Sequence, residues 1–566
     1  MAAWGSSTVK AERIPSEPIK KSKESEKRNM KKLVSRFMAV LMAMTMILSM
    51  SMTAFAAEAP KGTLTVNNTV AGKTLDLYQI FTATKNGDNV AYTLNSAYEG
   101  FFKNNTRIPG SESLTGEALS EKAYEYVKTQ VGTDGKSGTV FAKEILGWIL
   151  ENATIVATTH TTATTTAGST VISGLEYGYY VVYPLGATDT SAAPGEQDYT
   201  SVASLVSVTG DTSINMKSNY PTVVKKVNDK NADDVNIGDT VTYTLTSKVP
   251  DMTGYTSYVF NFKDTLSAGL TFKEITSVTV GDTTITKVDA GQKANNTYTL
   301  TQDGQNITIT MNNFLASNAN KAGQEIKVTY TATLNKDAVT GFDANKNSAT
   351  VEYSNKPGTD NKGESEPSIV DVHTFNFTIF KYYLKDETKT ALKNAEFELY
   401  KANAAGDAAD TDAKINIVDE GAGVYRQATA DEANATGFTS AKIVSDADGK
   451  VLVKGLDAGT YYLRETKAPE GYNKLLSDIK VEIKATYGED GKLVSYKVDY
   501  TYNGTTTTGT EIKDTTTSPE VAVENKTGAQ LPSTGSKGAL MVTLAGIVLF
   551  GALTASKAFG KKKANN

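Results

Sequence analysis

Thr240-Val-Thr-Tyr-Thr-Leu-Thr246 and Glu325-Ile-Lys-Val-Thr-Tyr-Thr-Ala-Thr333 alternate a polar residue with an apolar one at every step. That period of two is the signature of a strand with one buried and one wetted face. Gln305-Asn-Ile-Thr-Ile-Thr-Met311 repeats it, and Gly, Asn and Asp punctuate the runs. Short Thr/Val/Tyr-rich strands with turn residues between them predict antiparallel β-sandwiches of the immunoglobulin-like kind. Two stretches depart from this pattern. Leu119, Ala123 and Val127 recur at helical spacing, as do Phe141, Ile145 and Ile149, so a small helical insert is expected in the first domain.

The chain has 566 residues, enough for several domains of ordinary size. Boundaries are expected where Pro and polar residues gather, at Ser218-Asn219-Tyr220-Pro221 and along the stretch from Asn355 to Pro367. The expected division is a leader at 1–56, domains at 57–218, 219–370 and 371–528, and a terminal segment at 529–566. The formal charge of −5 argues against a nucleic-acid partner, which needs a basic face. Cys is absent and there are only two histidines, His160 and His373, both read as solvated surface residues. No cofactor or metal site is expected, and Asp446-Ala-Asp448-Gly449 reads as a β-turn rather than a calcium loop. No nucleophile elbow or phosphate loop is present, so the chain does not read as an enzyme.

Lysines stand where an apolar face is due. In Pro221-Thr-Val-Val-Lys-Lys-Val-Asn228, Val223, Lys225 and Val227 share one face; if that face is the core side, Lys225 points inward. A slip of one residue would make Lys226 the inward amine instead. Tyr258, Phe260 and Phe262 share a face that ends at Asp264, and Ala349, Val351 and Tyr353 one that begins at Asn347. In the third domain Phe375, Phe377, Ile379 and Lys381 share a face, Glu465 ends an aromatic strand, and Asn525 lies on the last strand. A buried, unpaired ammonium tends to shed its proton and become a nucleophile. Each of these two domains thus sends an amine, a carboxyl and a carboxamide toward an apolar interior.

The two ends of the chain read as targeting segments. Leu531-Pro532-Ser533-Thr534-Gly535 precedes an apolar run from Gly538 to Thr554 and then Lys561-Lys562-Lys563. A run of that length is about enough to cross a bilayer, with its cationic end held inside. The arrangement resembles the cell-wall sorting signal of Gram-positive surface proteins. The resemblance implies that a sortase cysteine attacks the Thr534–Gly535 bond and passes the acyl group to an amine. Lys31, Lys32 and Arg36 precede the apolar stretch Phe37 to Met50, and Ala54-Phe55-Ala56 offers a signal-peptidase site before Ala57. Met30 is the candidate true start, and export to the cell surface is expected.

Tyr461-x-Leu-x-Glu-Thr-x-Ala-Pro-x-Gly-Tyr472 resembles the E-box of major (backbone) pilins in sortase-assembled Gram-positive pili. By that resemblance Lys381 and Asn525 are the bond-forming pair of a collagen-adhesin B-type domain, with Glu465 as its catalytic acid. Lys225, Asp264 and Asn347 look like the A-type counterpart. The resemblance implies that each Lys amine attacks its Asn carboxamide, ammonia leaves, and an intramolecular isopeptide bond joins the first strand of the domain to its last. It also implies identical subunits joined head to tail, pilus-specific and housekeeping sortases, minor pilins, peptidoglycan anchoring and a role in adhesion to host surfaces. The family's acceptor amine sits in a Tyr-Pro-Lys motif, from which this chain departs, because Tyr183-Pro184 is followed by Leu185. Lys217, just before the second domain, is the acceptor expected in its place. A monomeric wall-anchored adhesin with a cross-linked stalk is the competing expectation.

Overall fold

The computed structural model describes residues 60–132, 137–188, 201–216 and 219–527. The leader, Lys217 and the sorting motif Leu531 to Gly535 with its apolar run lie outside the described residues. Among the described residues no helix is long and apolar enough to cross a membrane.

The first unit stacks two sheets. Lys61–Thr69 lies between Gly168–Glu176 and Thr212–Asn215, facing a sheet built on Thr74–Asn86 and Gly178–Pro184. Leu64, Val66, Leu75, Leu77 and Val182 fill the space between them. The helices Gly116–Val131 and Ser137–Glu151 cover the outer face of the second sheet. All six residues read at helical spacing are buried there, against Phe81, Phe101 and Tyr179. The insert is therefore larger than the reading expected, because it builds a second core of its own.

The second unit is a sandwich around one continuous core. One sheet holds Val224–Val227, Thr240–Lys248, Glu325–Leu334 and Leu270–Val280 in that order. The opposing sheet holds Ala232–Asp234, Ser368–His373, Asn345–Ser354, Phe260–Leu266 and Asn306–Met311. The polar stretch after Asn355 does not end this unit. Lys362–Glu364 folds back on Asn345–Ser354, and Ser368–His373 pairs with that same strand, so the sheet runs on to His373.

In the third unit Phe375–Lys385 is flanked by Lys450–Leu456 and, in parallel, by Glu520–Glu524. Glu396–Ala402, Gly459–Lys467, Ile479–Tyr487 and Leu493–Tyr502 form the facing sheet. Asp446 closes its turn by accepting the amides of Asp448 and Lys450, 2.9 and 2.8 Å away.

The second and third units meet through directional contacts. Asp234 accepts the amide of Ala458 at 2.7 Å and the hydroxyl of Tyr487 at 2.6 Å, and Lys492 pairs with Asp371 at 2.9 Å. Gly455 has a φ of +88°, and a Cβ there would lie 2.7 Å from Ile237, so only glycine permits this approach. His373 corrects the sequence reading. His160 is exposed and pairs with Asp76 at 2.9 Å, but His373 is 3 % exposed and stacks on Phe375 at the start of the next unit. The strand that carries it runs straight into the joint, which removes its ring from water and lowers its pKa.

Candidate functional site

Alternation alone carries Lys225 inward. Val223, Lys225 and Val227 are buried while Val224 is half exposed, so the core face is the one read from sequence. Lys226 points away and donates to Asn231 Oδ1 at 2.6 Å. Lys225 stands opposite Leu245 in its sheet, and its amine lies 4.9 and 5.1 Å from the ring centroids of Tyr243 and Tyr330. Asp264 and Asn347 enter from the opposing sheet, where Asp264 pairs with Ala349 and Leu266 with Asn347. Lys225, Asp264 and Asn347 are 1, 2 and 0 % exposed.

Lys225 Nζ donates to Asp264 Oδ2 at 2.5 Å and to Tyr330 Oη at 2.8 Å. Tyr330 Oη donates to Asp264 Oδ2 at 2.8 Å and accepts from Asn347 Nδ2 at 2.7 Å. Burial pushes the Lys225 amine down to about 8, against the opposing pull of Asp264. Burial and the neighbouring Asp264 hold the Tyr330 hydroxyl well above its ordinary value. Tyr330 is the member the sequence reading missed. Its strand was recognised, and alternation with Ile326, Val328 and Ala332 marks it as core, but nothing local distinguishes a core tyrosine from a site tyrosine.

The third unit assembles its trio differently. Lys381 and Asn525 are neighbours in one sheet, on parallel strands paired Lys381 to Val523 and Tyr382 to Glu524. Asn525 lies one residue past the last strand, and its amide donates to Tyr382 O at 2.9 Å. Glu465 reaches across from the facing sheet. Its Oε1 is 3.2 Å from Lys381 Nζ and its Oε2 accepts from Asn525 Nδ2 at 3.1 Å. Burial lowers the Lys381 amine to about 8.

The Ala468-Pro-Glu-Gly-Tyr472 turn then does two things the sequence did not announce. It brings the Leu475 amide to Glu465 Oε2 at 2.8 Å, and it sets Asn473 O to accept from Asn525 Nδ2 at 2.7 Å.

Both sites keep polar atoms in the dark. Asp264 Oδ1, Asn347 Oδ1 and Asn525 Oδ1 are buried without a hydrogen-bond partner, and Lys381 Nζ has only its ion pair with Glu465 Oε1. An unmet buried polar atom costs about 1–3 kcal/mol, so three of them at two sites call for an explanation. Asn347 is also not on its unit's last strand, as the reading expected. Two further strands, Lys362–Glu364 and Ser368–His373, follow it. Among the described residues no group of His, Asp or Glu is arranged to hold a metal ion. Lys217 falls between Met216 and Asn219, and both it and Thr534 lie outside the described residues.

Comparison with known proteins finds two domain matches. Residues 237–357 match the family described as Gram-positive pilin backbone subunit 2, Cna-B-like domain, and residues 379–499 match SpaA, a prealbumin-like fold domain. The first description assigns to the second unit a B-like type where the sequence reading expected the A-type. The trypsin-resistant surface T6 protein of Streptococcus pyogenes serotype M6 is 25% identical over 343 residues, which cover 54% of this chain and 52% of that protein. The chain thus spans about half the length of the curated relative it matches.

Similar solved structures include the T6 backbone pilin of serotype M6 S. pyogenes, at 18% identity, 84% of this chain, 100% of that one and a TM-score of 0.43. The group B streptococcus pilus 2b backbone protein is 30% identical over 55% of this chain and 99% of its own, with a TM-score of 0.38. The full-length major pilin SpaD of Corynebacterium diphtheriae is 19% identical over 83% of this chain and 98% of its own, with a TM-score of 0.39.

Proposed function

We infer, for a chain whose matched domains place it among the backbone pilins of Gram-positive bacteria, that it is the repeating shaft subunit of a covalent surface pilus. Its two inner domains cross-link themselves. The observation that carries this reading is the pair of buried Lys–carboxyl–Asn sets, each with an amine brought to about 8. A neutral amine can add to the carboxamide carbon of Asn347 or Asn525. The carboxyl beside it relays protons between the amine and the departing nitrogen. The C–N bond to the amide nitrogen breaks, ammonia leaves, and Lys225–Asn347 and Lys381–Asn525 amides remain. Each event happens once, so this is self-processing and not turnover.

Between subunits, a pilus sortase would attack Thr534 and transfer its carbonyl to Lys217 of the next copy. A housekeeping sortase would join the finished fibre to peptidoglycan, with minor pilins added. Such a head-to-tail contact does not close on itself and therefore yields a fibre. Tyr183-Pro184-Leu185, which lacks an amine, keeps a monomeric wall-anchored adhesin as the second reading. Incubation with sortase separates the two: loss of ladder formation in Lys217→Arg supports the shaft, and absence of any ladder in the parent supports the adhesin.

Intact mass of the ectodomain, Ala57 to Thr534, made without sortase, tests the cross-links directly. Each bond removes one ammonia, a deficit of roughly 17 Da. Two deficits are expected, one lost in Lys225→Ala and the other in Lys381→Ala. A full, uncorrected mass would remove the cross-linking mechanism.

A further inference from the structure

The carboxyl at the second-domain site is an aspartate and that at the third is a glutamate, and the extra methylene changes what each can touch. Glu465 meets both reacting nitrogens by itself, with Oε1 toward Lys381 and Oε2 toward Asn525. Asp264 meets the lysine, and its link to the carboxamide of Asn347 runs through the hydroxyl of Tyr330. Tyr330 is 1 % exposed and fixed from both sides, stacked on Tyr243 at 5.1 Å and packed against Phe272 at 5.8 Å.

We propose that Tyr330 is a catalytic residue of the second-domain bond, carrying the proton from Asp264 to the departing nitrogen of Asn347. The proposal rests on the cross-linking reading above. The Nζ lone pair of Lys225 adds to Asn347 Cγ, and the carbonyl π pair moves onto Oδ1. Nζ then gives its surplus proton to Asp264 Oδ2. Asn347 Nδ2 is no longer conjugated, so its lone pair becomes basic and takes the Tyr330 hydroxyl proton. Tyr330 is refilled from Asp264 Oδ2. The oxyanion pair re-forms the carbonyl and the Cγ–Nδ2 bond breaks. Nδ2 leaves as ammonia, with its own two hydrogens and the one from Tyr330, whose place the Lys225 proton has taken by way of Asp264. Phenol and carboxyl end as they started. The Tyr330 hydroxyl is protonated at neutral pH, and its place in the relay rests on its contacts with Asp264 Oδ2 and Asn347 Nδ2.

The test follows ammonia loss over time in the sortase-free ectodomain, with the Lys225–Asn347 and Lys381–Asn525 cross-linked peptides quantified separately after digestion. Tyr330→Phe should slow the second-domain bond by roughly 100-fold, the lower range for a lost proton-transfer group. The third-domain bond of the same molecules should form at the parent rate. Asp264→Glu combined with Tyr330→Phe supplies the missing methylene in the space the hydroxyl vacates, and should recover at least tenfold.

A second-domain bond that forms at the parent rate in Tyr330→Phe overturns the proposal. If that variant loses amide protection on the Thr240–Lys248 strand and so folds incompletely, the double variant decides. Recovery of the bond upholds the relay, and no recovery overturns it. A parent that never loses ammonia from the second domain overturns the cross-linking reading itself, an outcome distinct from the other two.

Discussion

The second and third domains place the same three functional groups in opposite architectural relations. In the second, amine and carboxamide come from opposing sheets, so a bond between them would pin the sandwich through its core. In the third they sit side by side on parallel strands at the two ends of the domain, and only the carboxyl crosses over. Position along the chain therefore decides what a bond would protect. Lys381 to Asn525 would enclose nearly the whole third domain. Lys225 to Asn347 would leave the chain from Ser348 to His373, with the strand Ser368–His373, outside the closed loop.

The comparison breaks first on stability. The two loops hold about 145 and about 120 residues, and loop closure then contributes close to 5 kcal/mol in either case, because the dependence on length is logarithmic. Lys381→Ala and Lys225→Ala should each lose about that much against denaturant. A large difference between them would mean that geometry, and not chain entropy, sets the gain.

The rate of bond formation is the next test. Both amines lie near 8, below the ordinary lysine value, so the reactive neutral fraction grows about tenfold per unit as pH rises toward 8 and then levels off. Refolding at pH 6 should form both bonds roughly fiftyfold more slowly than at pH 8, as read by mass; a flat profile would remove the neutral amine from the mechanism.

Mechanical extension sharpens the contrast further. Pulled from its ends, the cross-linked second domain should yield about 26 residues beyond Asn347, on the order of 90 Å of contour. The third should yield only the few residues before Lys381. Equal extensions in single-molecule pulling would show that Ser368–His373 does not peel. The smallest effect belongs to Lys226→Ala. Lys226 is bonded only to a neighbouring side chain, so the full mass deficit should persist with stability changed by less than about 0.5 kcal/mol.

Much of the site was legible because strand alternation is a local rule. Val223, Lys225 and Val227 on one face, or Phe375 to Lys381 on another, need only the period of two to place an amine inward. Lys381 and Glu465 were further marked by the Tyr461 to Tyr472 motif. What failed to read was long-range. His373 follows a strand like any other, and only the neighbouring unit takes its ring out of water. The polar run after Asn355 looks like a linker until Ser368–His373 pairs back onto Asn345–Ser354.

The sequence by itself determined that the chain is built of β-sandwiches, which lysines face inward, and which carboxyl and carboxamide side chains share that fate. All of these follow from covalent periodicity and from the cost of burying charge. Tertiary structure alone decided that Lys225 and Asn347 meet across two sheets while Lys381 and Asn525 meet within one. It alone decided that an aspartate one methylene too short is completed by Tyr330. Which strands become neighbours depends on pairing between residues far apart in sequence, such as Asp264 with Ala349 or Lys381 with Val523, and no local pattern records it.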